Sequence, residues 1–289
     1  RIFPKNYSQD YRIFVNMDGR GVNDLDVACQ IRQDSANHLQ TDGKFIAPQN
    51  TTSQAIIGKT TADAALGDCW DHAAVEAVSK FAIAVIPDKR GLKSVRKLVG
   101  ELAERSDQGL PGLITSDEYK PYKRALLETY GEAIGQRRRH RPGRRPEPRR
   151  RVPNGLVYAT VHKHRRNGRV VRTSVHRIYG SAEQLERALA DSPVSSHVNV
   201  AFVERYNGTD RHLNSRKGRK VYRFSKDPGL HEAMTHYAQT VYNFCRPNRA
   251  VRLRQADGHW QSRCPAMAQG LTDHVWSIRE LACHQACPP

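Results

Sequence analysis

The sequence predicts an α/β fold in which a mixed sheet is flanked by helices. Two apolar segments, at 67–76 and 81–86, have the composition of neighbouring strands in a meander. An amphipathic helix is predicted over 92–105, because its apolar residues recur at intervals of three and four. The short apolar run at 110–114 predicts a buried strand that ends near Asp117. These elements in this order indicate an open sheet with helices packed on it.

A further helix, over 119–130, and an earlier short strand, over 40–47, complete the predicted order. Three strands, a helix, a strand and a second helix is the order of an RNase H-like fold. In an open sheet of this kind, chemistry gathers at the carboxyl ends of the strands. Asp117 stands at such an end, where it has either a catalytic role or the common structural role of capping the helix after it.

Composition restricts the class of partner. The 289 residues carry a formal net charge of +18, with a pI near 10.0 and a mean hydropathy of −0.70. Such a charge attracts polyanions and makes nucleic acid the expected partner, although ribosomal and other basic proteins share it. The chain contains no apolar run of membrane-spanning length. We therefore expect a nucleic-acid-binding protein with no membrane partner.

The six cysteines include no C-x-x-C pair, which predicts neither a disulfide framework nor a structural zinc site and indicates a reducing cytoplasm. Cys283, His284 and Cys287 cluster near the end of the chain. They could contact a metal, or they could lie together incidentally.

Residues 1–39 are polar and mixed, and 21–31 spaces its apolar residues at helical intervals. With a second helix starting near Asp34, this segment predicts either a small, degenerate helix-turn-helix DNA-binding module or an ordinary helical hairpin. The main domain is then predicted to span 40–281, and residues 282–289 form a tail.

A basic insertion is predicted at 136–190. Its first part, 136–153, is dominated by Arg and Pro, which supply neither apolar surface nor helix continuity, so it is either a linker that gains order on phosphate or a solvated surface loop. Residues 156–164 and 170–179 alternate as two strands around Asn167-Gly168, which predicts a β-hairpin. The hairpin's histidines could bind metal or contact phosphate.

Glu204 follows an apolar patch and opens a long basic segment. A carboxylate that faces many cations is the arrangement that a metal-dependent enzyme acting on DNA requires. The structural alternative is a solvated helix residue paired with a nearby Arg. Downstream, a stripe at helical spacing predicts a closing helix whose inward residues are Met234, Tyr237, Ala238, Val241, Tyr242 and Cys245. Trp260 and Trp276 are expected to be packing residues.

The region around Glu204 resembles the third-acid region of DDE transposases of the insertion-sequence-one type. The similar segments are Phe202-Val203-Glu204-Arg205 with Asn207 and Arg211, Arg219-Lys220, Phe224-Ser225-Lys226, Tyr242-Asn243-Phe244-Cys245-Arg246, Cys264-Pro265-Ala266-Met267-Ala268 and Gly270-Leu271-Thr272-Asp273-His274-Val275-Trp276. The resemblance covers about residues 67–281 well. It implies a bacterial insertion-sequence transposase that cleaves DNA and joins the freed 3′-hydroxyl to target DNA.

The resemblance also implies a catalytic triad of metal-binding acids. We assign Asp42, Asp117 and Glu204 as the ligands, with Asp68 as the substitute if the alignment at Asp42 is wrong. The expected cofactor is Mg2+, two ions about 3.5–4 Å apart, for which Mn2+ can substitute. In-line displacement at phosphorus needs the nucleophile deprotonated and the developing charge neutralised, and hard cations held by carboxylates do both.

The expected partners are the DNA ends of the mobile element and the target DNA. After the third acid, Arg205, Asn207 and Arg211 stand where the family faces the active site or the DNA end, and helical spacing puts Asn207 and Arg211 on the face of Glu204. Contacts to the DNA backbone are assigned to Lys217, Arg219 and Lys220. By analogy we expect self-association on DNA and a location at the bacterial nucleoid.

Two other functions stay open. A catalytically dead, transposase-derived DNA-binding protein is consistent with the altered context of Asp42, where Gly43 and Phe45 replace the Glu and Trp of the family pattern. An RNase H-like nuclease or RNA-binding protein shares the sheet and the charge, but it does not account for the similarity over 242–276. The active transposase and the catalytically dead protein differ in whether a carboxylate from the first strand lies beside Asp117 and Glu204.

Overall fold

The computed structural model describes residues 69–106, 108–134, 149–167, 169–217, 225 and 227–284, together with the backbone of the strand Arg12–Met17. The strands are β1 Arg12–Met17, β2 Cys69–Glu76, β3 Ala82–Lys89, β4 Leu113–Asp117, β5 Glu132–Ala133, β6 Arg150–Arg151, β7 Tyr158–Arg166, β8 Arg169–Tyr179, β9 Leu253–Arg254 and β10 Trp260–Gln261. The helices are α1 Leu92–Arg105, α2 Pro121–Tyr130, α3 Ala182–Ala190, α4 Ala201–Leu213, α5 Pro228–Thr240, α6 Pro265–Ala268 and α7 Ile278–Cys283. The predicted mixed sheet flanked by helices is confirmed.

The main sheet has six strands in the order β3-β2-β1-β4-β7-β8. β1 pairs antiparallel with β2 and parallel with β4, and β7 pairs parallel with β4. β3 and β8 are antiparallel to their neighbours β2 and β7. Consequently β1, β3, β4 and β7 all end at the same edge of the sheet, and β2 begins there.

Alternation along the strands gives the sheet two buried faces. On one face, Ala74 of β2 and Ile114 of β4 pack in a cluster with α1 and α2. On the other face, Ala73 and Val75 of β2 pack in a second cluster with Val203 of α4. Helices therefore cover both faces of the sheet. The edge at which β1, β3, β4 and β7 end lies between these two layers of helices.

Helix α1 packs as its sequence predicts. Val95, Leu98, Val99 and Leu102 are buried, while Leu92 is partly buried against the same cluster. These four residues recur at intervals of three and four on one stripe, so the helix presents a continuous apolar face to β3. The amphipathic pattern thus fixes which side of α1 meets the sheet.

The basic hairpin belongs to the main sheet. The predicted strands form β7 and β8 and turn at Asn167, which has a φ of 50°. β7 pairs with β4 in a register that places Asp117 opposite Val161. Backbone pairing with β4 thus makes the hairpin an extension of the sheet, whereas the sequence had predicted a separate insertion. Residues 135–148, which include most of the predicted basic linker, lie outside the described residues.

Two predictions about the C-terminal part need correction. Tyr237, expected to face inward on α5, is 46% exposed, and the buried stripe comprises His231, Thr235 and Ala238. Trp260, expected to pack, is 52% exposed in the β9–β10 hairpin, where Arg252 lies 3.9 Å above its ring. A short run at helical spacing is compatible with more than one face, and here buried polar contacts select the face that carries His231.

The other predicted packing residue, Trp276, does pack, with its ring centroid 4.9 Å from that of Phe244. Helix α3 carries Leu185 and Leu189 partly buried, behind a capping box formed by Ser181 and Gln184. The predicted helix-turn-helix at 21–35 lies outside the described residues, whereas β1, which falls within 1–39, lies in the sheet. Among the described helices, none is long and apolar enough to cross a membrane.

Candidate active site at the carboxyl edge of the sheet

Asp117 is the last residue of β4 at this edge. Two residues earlier, Thr115 donates a hydrogen bond of 3.1 Å to the carbonyl oxygen of Asn199, just before α4. Thr115 and Asp117 are on the same side of the strand, so this bond ties the start of α4 to the face that carries Asp117. The carboxylate accepts a 3.4 Å hydrogen bond from the Tyr119 backbone N–H, whereas helix α2 has no side-chain cap. Asp117 is therefore not the cap of α2.

Burial raises the pKa of Asp117 to about 7, although the Tyr119 N–H and the Arg90 guanidinium act in the opposite direction. The neighbouring carboxylates of Glu204 and Glu118 raise the pKa further. Val161, which pairs opposite Asp117, and Lys163, which pairs with Glu204, are two residues apart on one side of β7, so the two predicted acids lie near each other. The structure thus brings together two of the three acids that the sequence singled out.

Glu204 lies in the first turn of α4 and is exposed. Its Oε1 atom is 2.5 Å from the Nζ atom of Lys163, which follows the end of the β4-paired part of β7. The alternative interpretation of Glu204, a solvated helix residue in a surface ion pair, describes this contact except that the partner is Lys and not Arg. An exposed carboxylate paired with a single Lys is also accessible to a metal ion. The contact is therefore compatible with both interpretations of Glu204, as a metal ligand and as a surface ion-pair residue.

Glu118, the acid next to Asp117 in the chain, contacts histidines of the hairpin. Glu118 contacts His162 Nδ1, and its other oxygen is 3.6 Å from His176 Nε2. His164 shares Ser174 with His176, through contacts of 3.1 and 3.4 Å. The hairpin histidines are therefore engaged with Glu118 and with one another. They form no three-residue group of metal ligands within the described part of the chain.

The predicted DNA-contacting residues differ in exposure. Arg205 is exposed, Asn207 is buried, and Arg211 is half-buried. Asn207 Nδ2 is buried and has no hydrogen-bond partner among the described atoms. Arg219 and Lys220 lie outside the described residues.

Lys217 requires a correction. Its side chain is only 4% exposed, and its Nζ atom lies 2.6 Å from Asp210 Oδ2 and 3.0 Å from Asp71 Oδ2. An ammonium group enclosed between two carboxylates cannot reach a DNA phosphate. The sequence suggested a phosphate contact because Lys217 falls within a basic run, but tertiary packing turns this one cation inward.

Sequence reasoning missed the network around Lys217. Asp71 at the start of β2 also contacts His231 Nε2 at 3.2 Å, although the two residues are 160 positions apart. Burial raises the pKa of Asp71, but the Lys217 ammonium and His231 outweigh it, so the pKa is strongly lowered. The pKa of Asp210 is raised, chiefly by burial. Only the alternation of Cys69 and Asp71 along one strand could have suggested a shared face.

Arg90 was also missed. It follows β3 at the same edge, and its guanidinium lies 4.8 Å from the ring centroid of Trp70 and 4.9 Å from that of Tyr119. The two rings hold an exposed cation close to Asp117. Arg90 is therefore positioned to meet an anion that approaches the two acids.

The first acid of the predicted triad, Asp42, is not among the residues that the structure describes. Asp42 and its substitute Asp68 lie outside the described residues. The strand β1 has the sequence RIFVNM, which contains no Asp or Glu. Within the described part of the chain, β1 thus supplies no third carboxylate to the site of Asp117 and Glu204.

The chain matches none of the protein-family models with which it was compared. None of the curated proteins matches it either.

Proposed function

We propose that this protein is a DNA strand-cleaving and strand-transferring enzyme of the DDE transposase type. The observation that carries the proposal is that Asp117 ends β4 at the edge where parallel strands end, while Glu204 is paired with Lys163 of the adjacent strand β7. The acids come from the end of β4 and the first turn of α4, and the Thr115–Asn199 hydrogen bond joins these elements. An excess charge of +18 supports a nucleic-acid substrate.

The strand order further supports an RNase H-like catalytic domain. A meander of β1, β2 and β3 followed by β4 parallel to β1 has the order expected from the sequence, but the first strand is Arg12–Met17, and the strand expected at 40–47 lies outside the described residues. The next parallel strand, β7, supplies Lys163 to the same edge. In an open sheet, this edge is the usual location of catalysis.

Asp117 and Glu204 suit a hard divalent cation, because both offer carboxylate oxygens and Glu204 is exposed. Asp117, Glu204 and the predicted Asp42 would hold Mg2+, or Mn2+ in its place. When bound, the metal supplies Lewis acidity, which lowers the pKa of the attacking water or 3′-hydroxyl and neutralises charge on the phosphoryl oxygens.

The chain's own cations orient the DNA. Arg90 is held by two aromatic rings and Arg205 is exposed next to Glu204, so both can bind phosphate oxygens on either side of the scissile bond. Lys163 is paired with Glu204 at the same edge, where its ammonium group could also bind a phosphate oxygen. Positioning by these groups favours in-line attack at phosphorus.

The proposal is tested by measuring metal-dependent nicking and strand transfer. The substrate is DNA that carries the ends of the mobile element that encodes this protein. We expect Asp117→Asn and Glu204→Gln each to slow cleavage by at least about 100-fold, the size of effect seen when a group that stabilises transition-state charge is removed. DNA affinity should be retained. Asp257→Asn and Glu183→Gln, which change exposed acids outside the site, serve as matched controls. Asp42→Asn tests the third ligand.

Unchanged cleavage by Asp117→Asn or Glu204→Gln would disprove the proposed site. The second candidate is a DNA-binding protein without nuclease activity, and it is favoured by the absence of any acid in β1. If the native chain binds DNA but never cuts it in Mg2+ or Mn2+, this second function is correct.

A further inference from the structure

A group of thiol, carboxylate and imidazole side chains lies at the start of β2, which β1 separates from β4 and Asp117 in the sheet. Cys69 Sγ, a carboxylate oxygen of Asp71 and a ring nitrogen of His231 all lie within 4.8 Å of one another. Cys69 and Asp71 alternate along β2 and so point to the same face, and His231 reaches them from the first turns of α5. Three residues from two distant parts of the chain thus converge on one point.

We propose that Cys69, Asp71 and His231 form a Zn2+ site that fastens α5 to the edge of the sheet. Thiolate, imidazole and carboxylate are the ligand types that zinc binds, and a soft thiolate argues against Mg2+. Donor atoms around a tetrahedral zinc are about 3.3–3.6 Å apart, given its usual bond lengths. Asp71 Oδ1 and His231 Nε2, at 3.2 Å, lie just below this range.

Neighbouring side chains orient two of the ligands. His231 Nδ1 lies 3.2 Å from Ser225 Oγ, and in the tautomer that donates the Nδ1 proton to this hydroxyl Nε2 is unprotonated, the form that binds a metal. Lys217 holds the Oδ2 atom of Asp71 at 3.0 Å, which leaves Oδ1 directed at His231. Such outer contacts fix the tautomer and the orientation of metal ligands.

The charges of the cluster also favour a dication. Asp71 and Asp210 share the single ammonium of Lys217, and Asp210 Oδ1 is buried without a hydrogen-bond partner among the described atoms. With Cys69 as a thiolate, these four groups sum to about −2, which one Zn2+ neutralises. On binding, Cys69 loses its thiol proton and the His231 ring keeps a single proton, on Nδ1, so metal uptake releases at least the thiol proton. The fourth zinc position is then open to water.

Metal binding itself tests the proposal, independently of any nuclease activity. The metal-free full chain is titrated with Co2+, a spectroscopic substitute for zinc, and with Zn2+ in competition. We expect one equivalent to bind with the thiolate-to-cobalt charge-transfer absorption and d–d bands of a four-coordinate ion. Cys69→Ser should abolish the charge-transfer absorption, and His231→Gln should greatly weaken binding. Ser225→Ala should weaken it by about 10–100-fold.

The double variant Cys283→Ser with Cys287→Ser is the control, because it removes the cysteines of the C-terminal cluster and should leave the spectrum unchanged. Circular dichroism confirms that each variant is folded. If Co2+ binds no more tightly to the native chain than to Cys69→Ser, or if the absorption disappears in the control, the proposal is wrong. The cluster is then a buried ion-pair network without metal.

Discussion

At the scale of the residue, Lys217 shows how burial changes the role of a side chain. In a basic segment it is expected to contact DNA, but the structure encloses it between Asp71 and Asp210. Its pKa is raised because the attraction of these two carboxylates outweighs the effect of burial. The same lysine that would bind phosphate if it were exposed is thus a structural cation, which holds β2 against α4.

We therefore predict that Lys217→Met lowers the free energy of unfolding by about 3–5 kcal/mol in metal-free buffer, because it leaves two carboxylates buried without their cation. Urea denaturation followed by circular dichroism measures this change. Adding Asp210→Asn to Lys217→Met should restore part of the stability, since only one carboxylate then lacks a partner. Arg216→Met, at the half-buried neighbouring position, is the control. A loss below about 1 kcal/mol would show that Lys217 is solvated, as a surface ion pair is.

At the scale of the element, Glu128 of α2 links α1 and α2, the two helices that pack on one face of the sheet. Its Oε2 atom is 2.6 Å from Arg96 Nε of α1, and its Oε1 atom is 2.8 Å from Arg124 Nε. The hydrogen bond from Arg96, with that from Arg124, lowers the pKa of Glu128 to about 2. One carboxylate accepts from two guanidinium groups and therefore links α1 to α2.

We predict that Glu128→Gln lowers the free energy of unfolding by about 0.5–1 kcal/mol at neutral pH, a modest value because all three side chains are partly exposed. The folded pKa is depressed, so the carboxylate's contribution is fully present above the ordinary pKa of 4.5 and disappears as the pH falls through about 2. Denaturation of both proteins between pH 7 and pH 3 should show their difference narrowing below about pH 4.5. Glu104→Gln on exposed α1 surface is the control. A pH-independent difference would exclude an ionic origin.

At the scale of the whole molecule, the excess of cations predicts salt-sensitive binding to DNA. The helices α1 and α4 lie on opposite faces of the sheet, so an exposed cation on each tests which face meets the duplex. Arg205 is exposed on α4 beside Glu204, and Lys93 is exposed on α1. The proposed site is on the α4 face.

We predict that Arg205→Gln reduces the slope of log K against log salt concentration by about 0.9, the loss of one phosphate contact. Lys93→Gln should leave the slope unchanged. Fluorescence anisotropy of a labelled duplex between about 50 and 200 mM salt measures both. If Lys93→Gln alters the slope and Arg205→Gln does not, DNA binds on the α1 face and the proposed orientation is wrong.

Local patterns were sufficient for most elements. The apolar stripe of α1, the strand that ends at Asp117 and the Asn167-Gly168 hairpin follow from periodicity and turn chemistry, which act over a few residues. Where a pattern was short, as at Tyr237 and Trp260, the sequence did not identify the buried face, because neighbouring elements decide which side of a short segment is covered.

The sequence by itself determined the charge, the order of the main-sheet strands and longer helices between 69 and 245, and the two acids on which the proposed site rests, since each depends on composition or on neighbouring residues. Only the tertiary structure decided that β7 and β8 extend the main sheet, that Lys217 points inward, and that Asp71 meets His231 across 160 positions. These contacts join distant parts of the chain. No local preference specifies them, because they form when apolar faces are buried together and bring their polar neighbours into contact.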